Sequence, residues 1–328
     1  MTTADLEIAS NPRDQKKLEQ RIAAKYRGDF SFRLVLATVA QLAAWVGVIA
    51  LAMNGVLPYA VACLANGWIA YLMYMTLHGA THGNVSGRHA KLRWADDLVG
   101  SVSAIPLWFS YRSHRISHMK HHAFTNDPKR DPDFFVAGSF WQLFPKIGLI
   151  IVLRTVIPIL TLFPNGVDLL PASLRRLRGE EAAVLDPLEA RYSQRFERLC
   201  LALFLGLSLA GFFWEALWLW FVPSRIGFFL IAAIFAWLPH HPHNERGRYR
   251  DTRVTLFPGG TFLLRGQNHH ILHHMFPRVP HYRLPTLFRE MRPILEAHDV
   301  RIEGPLAGPD TPPILLRWDE SMKGGAGA

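Results

Sequence analysis

The chain has 328 residues; half are hydrophobic, 19% are charged, and the formal net charge is +10. So much apolar residue excludes a disordered chain, and the charge lies below the roughly 25% of ordinary soluble domains. Only two cysteines occur, Cys63 and Cys200, both inside apolar runs, which excludes a disulfide framework, a four-cysteine zinc site and a thiolate iron–sulfur cluster.

In chain order, residues 1–33 are polar and helix-prone, with no cleavable apolar segment. They read as an N-terminal cytoplasmic arm whose beginning is peripheral or unstructured. Leu34–Met53 and Val56–Leu77 carry no charge and are long enough to cross a bilayer, which takes about 20 residues. Asn54 and Gly55 between them predict a tight hairpin. Phe134–Phe163 is apolar but interrupted by Pro145, Lys146, Arg154 and Pro158. It reads as in-plane or peripheral helices, with a re-entrant hairpin as the alternative. Leu199–Val222 is apolar apart from Glu215, and Ile226–Pro239 is apolar but short, so Pro223 and Ser224 are the expected turn of a second hairpin.

The predicted fold is therefore all-α and integral to the membrane: about four transmembrane helices in two hairpins, with a helical cap. Residues 34–300 form the membrane domain and 301–328, rich in Gly and Pro, a flexible tail. Of 36 Lys and Arg, all but Arg225 fall in the three polar segments on one side of these spans. That asymmetry assigns the termini and the cap to the cytoplasm. It also explains the basic excess without nucleic acid.

Sixteen histidines is an unusual number, and they are clustered. His78 and His82 form an i,i+4 pair, which shares one helix face. His114, His118, His121 and His122 follow. His240, His241 and His243 come after the last span, and then His269, His270, His273 and His274. Every cluster lies on the predicted cytoplasmic side. Isolated His89 and His298 need no special role, but burying the clusters without partners carries a large penalty. Neutral imidazole suits iron, zinc, copper or nickel. One tetrahedral zinc takes four ligands at most, so eight or nine imidazoles at ligand spacing predict two metal ions.

The boxes His78/His82, His118/His121/His122 and His270/His273/His274 resemble those of the membrane fatty-acid desaturase superfamily. Within it, HMKHHAFTNDPKRDPD (His118–Asp133), WLPHHPHNERGR (Trp237–Arg248) and GQNHHILHHMFPRVP (Gly266–Pro280) resemble strings of the desaturase-type β-carotene hydroxylases. Pro280-His281-Tyr282 also resembles acyl-lipid desaturases. The resemblance implies two non-haem iron ions held by His78, His82, His118, His121, His122, His240, His270, His273 and His274. His240 takes the ninth place, with His243 the competing choice. It implies O2 as acceptor, electrons from ferredoxin or a similar soluble donor, and a lipid substrate entering from the bilayer. In a bacterium the location is the inner membrane.

Hydroxylation of a carotenoid ring is the first expected activity, and desaturation of a fatty-acyl chain the alternative. Both begin by breaking an unactivated C–H bond. A non-catalytic metal-binding or transport protein fits poorly, because the first two spans hold no charge. Groups expected to hold the imidazoles by their outer nitrogens are His114, His243, His269, Asn268, Asp127 and Asp131, with Asp97, Asp133, Glu245 and Gln267 as further candidates. Arg246, Arg248, Arg250 and Arg253 are expected to anchor headgroups or to dock an acidic donor. Trp108, Phe109, Tyr111, Trp237 and Phe276 are candidate channel lining or interfacial aromatics.

Overall fold

A computed structural model describes residues 12–175 and 186–308. Four helices are long and apolar enough to cross a membrane: Phe32–Met53, Tyr59–Thr81, Phe140–Leu160 and Phe213–Trp237. The helices that position the site are α1 (Pro12–Ala24), α2 (Phe32–Met53), α3 (Tyr59–Thr81), α4 (Arg93–Ala104), α5 (Tyr111–Phe124), α6 (Phe140–Leu160), α7 (Pro187–Leu209), α8 (Phe213–Trp237), α9 (His270–Met275) and α10 (Leu284–Ala297).

The first hairpin lies where the apolar pattern places it. Ser31 caps α2, its Oγ accepting from Leu34 N at 3.3 Å. At the other end Asn54 Nδ2 donates to Ala50 O at 2.8 Å, and Gly55 takes a φ of 73° that favours glycine. Helix α3 packs on α8 through small residues. A Cβ on Gly67 would stand 2.7 Å from Ile226 Cγ2, and one on Gly227 would stand 2.9 Å from Ala70 Cβ. Close approach of this kind is how apolar helices associate in lipid.

The second hairpin differs from the expectation. Its turn is at Ala210–Phe212, where Gly211 adopts a φ of 94°, not at Pro223–Ser224. Helices α7 and α8 flank it. Proline is the physical reason for the misreading. Pro223 has no N–H, so the Leu219 carbonyl four residues earlier has no helical donor. The helix nevertheless continues, passing through a π-helical turn at Leu217–Phe221. Asn66 Nδ2 of α3 donates to the Leu219 carbonyl at 2.9 Å, and in an apolar layer such a carbonyl needs that partner. Glu215, the one acid of the run, accepts from the Tyr59 hydroxyl at 2.8 Å.

Phe134–Phe163 also departs from the expectation of peripheral pieces. From Phe140 it is one 21-residue helix that keeps Pro145 and Pro158 inside it, opened by a Ser139/Gln142 capping box. It runs against α8, with Phe140 on Trp237 and Phe144 on Phe229 at ring separations of 5.5 and 5.2 Å.

The cap closes the other end of the hairpins. Ile22, Ile271, Leu272, Leu284, Leu287, Met291 and Leu295 form its apolar core. Residues of α1 and residues 302–303 pack into it, so these parts of the expected arm and tail are ordered. Glu19 of α1 is fully buried and pairs with Arg248 at 2.7 Å and with the Tyr249 hydroxyl. Residues 302–303 pair in parallel with 254–255 as a two-stranded sheet, β1 (Val254–Thr255) and β2 (Ile302–Glu303). Arg253 and Glu303 form a buried ion pair there, at 2.7 Å. The rest of the expected tail, 309–328, and the first residues of the arm lie outside the described residues.

Candidate metal centre

Four elements bring the histidines to one place. His78 and His82 end α3, one turn apart. His118, His121 and His122 lie on α5, and His270, His273 and His274 on α9. His240 follows α8. Because consecutive helical positions differ by about 100°, neighbours in a box cannot face the same point. The second and third boxes are consequently shared between two groups.

His78, His82, His118 and His273 form one group, and His121, His240, His270 and His274 the other; within each, ligand atoms lie within 4.8 Å of one another. His122 stands on the side of the first group, its Nε2 3.0 Å from His118 Nε2 and 3.1 Å from His273 Nε2. His122 also stacks on His274 of the second group at 4.3 Å. All nine except His122 and His274, which are half-buried, are buried.

The nitrogen spacings test the fit to metal. Imidazole nitrogens sit about 2.0–2.1 Å from a bound divalent ion, so two at a right angle are about 2.9 Å apart. The observed pairs His78–His118, His82–His118, His240–His270 and His270–His274 stand at 3.0, 3.0, 3.1 and 3.1 Å. Burial holds the rings of His118, His122, His240, His270, His273 and His274 well below their ordinary pKa, in the neutral form a metal requires. Neutral nitrogens crowded this closely repel unless a cation lies among them. The donor set fits two iron ions.

The two groups are supported differently. In the first, the close side-chain polar approaches of the four rings are, among the described residues, of Nε2 to Nε2 of other imidazoles, the ligand atoms themselves. Aromatic rings back them: Tyr74 lies 5.6 Å and Phe235 5.9 Å from His78, and His114 stacks on His118 at 5.1 Å. In the second, His121 Nδ1 donates to Asp131 Oδ1 at 2.8 Å, and His270 Nδ1 donates to Gln267 Oε1 at 2.7 Å. Asp131 is itself fixed, accepting from the backbone N–H of Asn126 and of Asp133 at 2.7 and 2.9 Å. Burial pushes the His121 pKa down, but the Asp131 and Asp133 carboxylates outweigh it and raise it to about 9. Asp131 holds the proton on Nδ1; a cation at Nε2 would displace the second proton that the raised pKa otherwise keeps there, and Nε2 then becomes the donor atom.

Other expected supports lie elsewhere. Asp127 binds Arg130 at 2.9 Å and Arg246 at 3.2 Å, Asn268 Nδ2 donates to Thr261 Oγ1 at 3.3 Å, and Asp97 meets Arg115 at the surface. None of these bonds reaches an imidazole. Glu245 offers its carbonyl to Asn126 Nδ2 at 2.7 Å. His243 is outside both groups with its Nε2 3.3 Å from Ala236 O, and His269 packs on Phe288 at 4.9 Å. Of the four arginines, Arg248 and Arg253 are committed to Glu19 and Glu303, so they do not form one free basic face. Thr125 was not anticipated: its hydroxyl bonds His121 O at 2.8 Å and lies 3.3 Å from His274 Nδ1. Its place one turn beyond His121 is the signal that could have revealed it. Among the candidate lining residues, Trp108 borders a cavity, whereas Tyr111 and Trp237 spend their polar atoms on Ala80 O and Gly138 O.

The family model for fatty acid desaturase matches residues 54–304, and the chain belongs to that family. It is 26% identical over 283 residues to an sn-1 acyl-lipid omega-3 desaturase (ferredoxin) from Nostoc sp., covering 76% of this chain and 74% of the relative. The corresponding Synechocystis sp. protein is 25% identical over 271 residues, 72% and 71% of the two chains. A β-carotene ketolase from Haematococcus lacustris matches over 63 residues at 35% identity, 19% of each chain. The protein is an integral membrane member of a di-iron oxidoreductase family.

Proposed function

We propose that the protein is an O2-dependent acyl-lipid desaturase that inserts a double bond into a membrane-embedded acyl chain. Two iron ions would be held by His78, His82, His118, His122 and His273 on one side and His121, His240, His270 and His274 on the other. The observation that carries the substrate class is the extent of similarity. Acyl-lipid desaturases match over about three quarters of the chain, whereas the carotene ketolases match over 63 residues. The site suits a lipid substrate, since His78 and His82 close a helix long and apolar enough to span the bilayer.

The iron pair, when bound, supplies the oxidising power that breaks an unactivated C–H bond with O2 as acceptor. The chain's own residues do the rest. Asp131 and Gln267 fix the tautomer and angle of His121 and His270. Tyr74 and Phe235 wall the His78 side with rings that keep water away. The active face and both termini lie on the cytoplasmic side, where a soluble donor such as ferredoxin delivers electrons. The ferredoxin named for the Nostoc and Synechocystis relatives supports that choice.

The 63-residue match supports carotenoid oxidation as a second reading. Expression with a ferredoxin system in a bacterium that makes β-carotene, with His273→Ala as control, separates the two. New unsaturated acyl chains with unchanged pigment support the proposal; oxygenated carotenoid with unchanged acyl chains overturns it.

A further inference from the structure

A cavity of about 190 Å³ lined by none of the histidines lies between α6, α7, α8 and the loop that leads into α5. Its apolar wall includes Trp108, Phe204 and Phe221, yet three ionisable side chains also line it: Arg154 of α6, Glu197 of α7 and Arg225 of α8. Arg154 and Arg225 interrupt helices that are otherwise apolar enough to span a bilayer. Charges in such helices are costly, face cavities, and mark binding sites or pathways.

Neither arginine is matched. Among the described residues neither makes an ion pair, and the buried Arg225 Nε has no hydrogen-bond partner. Both guanidinium groups are instead poised over aromatic rings: Arg225 over Phe221 at 4.6 Å and Trp108 at 5.4 Å, Arg154 over Phe228 at 5.6 Å. Glu197 is held aside by the Ser193 hydroxyl at 2.9 Å. Glu197 acts on both guanidinium groups, and Glu189 and Asp133 also act on Arg154, but none of them is in ion-pair contact with either among the described residues, so both guanidinium groups border the open space with hydrogen-bonding capacity to spare.

We propose that this cavity binds the oxyanion head of a lipid, a fatty carboxylate or a phospholipid phosphate, between Arg154 and Arg225. Planar guanidinium forks recognise both oxyanions. The volume is below the 300–1,000 Å³ or so of sites that enclose a whole drug-sized ligand, so it takes a headgroup and not a chain. The chain is left to the bilayer along exposed Val152, Ile159 and Leu203. The site would also sit next to the centre. Phe109, adjacent to Trp108, contacts His114 at 5.7 Å, and His114 stacks on His118. The inference does not depend on which lipid is oxidised.

Its test is binding, not turnover. Full-length protein in neutral detergent is offered oleate, phosphatidylglycerol or methyl oleate, and retained lipid is read by native mass spectrometry. One anionic lipid should be kept and methyl oleate lost. Retention of oleate alone identifies a carboxylate site, and retention of phosphatidylglycerol alone a phosphate site. Arg154→Gln and Arg225→Gln should each weaken binding about ten-fold. Glu197→Gln, which removes the competing anion, should strengthen it several-fold. Melting temperature and iron content of each variant report its fold. Equal retention of methyl oleate, no retention of either anion, or wild-type affinity in the double arginine variant would overturn the proposal.

Discussion

The two halves of the histidine centre are built from different materials. The first group takes three rings from α3 and α5 and His273 from α9, and packing by Tyr74, Phe235 and His114 backs His78 and His118. The second takes His121 from α5, His240 from a loop and His270 and His274 from a six-residue helix. It is aligned instead by Asp131 and Gln267 through hydrogen bonds. Element length does not decide which ring takes polar help: His121 takes it on the long α5, while the side-chain polar contact of His273 on the short α9 is, among the described residues, to an imidazole.

The sharpest way to break this comparison is to remove one ligand from each half. His273→Ala and His270→Ala should both abolish turnover, and each should leave about one iron per chain, measured by metal analysis, if the halves load separately. Loss of both irons from either variant would show that the halves form one unit. Asp131→Asn should cost about 10–100-fold in activity or metal affinity, as supports of ligating imidazoles usually do. Tyr74→Phe, which keeps the ring against His78, should stay near wild type. Equal losses would erase the distinction.

A smaller effect concerns the frame. Asn66→Ala leaves the Leu219 carbonyl without its donor and should destabilise the protein by about 1–3 kcal/mol, read as a lowered midpoint of thermal unfolding. Metal content at permissive temperature should be unchanged. A further effect is acid lability of the cap. Burial, with Arg265 and Arg33 nearby, lowers the His281 pKa to about 3. The unfolded chain binds that proton near pH 6.5, so the unfolded state holds more protons between these values and stability falls as pH drops below about 6.5. His281→Gln should flatten that part of the stability profile.

The chemistry was more legible in the sequence than the scaffold. Imidazoles at i, i+3 and i+4 announce shared metal ligation. The partition between two groups depends on how α3, α5 and α9 meet, which no local pattern encodes. The first hairpin was readable because Asn54 and Gly55 interrupt two uncharged runs. The second was misplaced because Pro223 looks like a turn until its partner Asn66, 153 positions away along the chain, supplies the missing hydrogen bond. The end of the cap was hidden for a similar reason: Ile302 and Glu303 are ordered by Val254, Thr255 and Arg253, not by their neighbours.

The bond from Asn66 to Leu219 also bears on biosynthesis. During translation α3 emerges well before α8, so the amide donor is already in the bilayer when the proline-broken helix arrives. An α8 inserted alone would present a bare carbonyl to lipid, and that penalty disappears only beside α3. The order of the two helices along the chain thus makes the first hairpin a template for the second. A circular permutant that exposes α8 first should insert poorly, although every contact of the finished protein remains available to it.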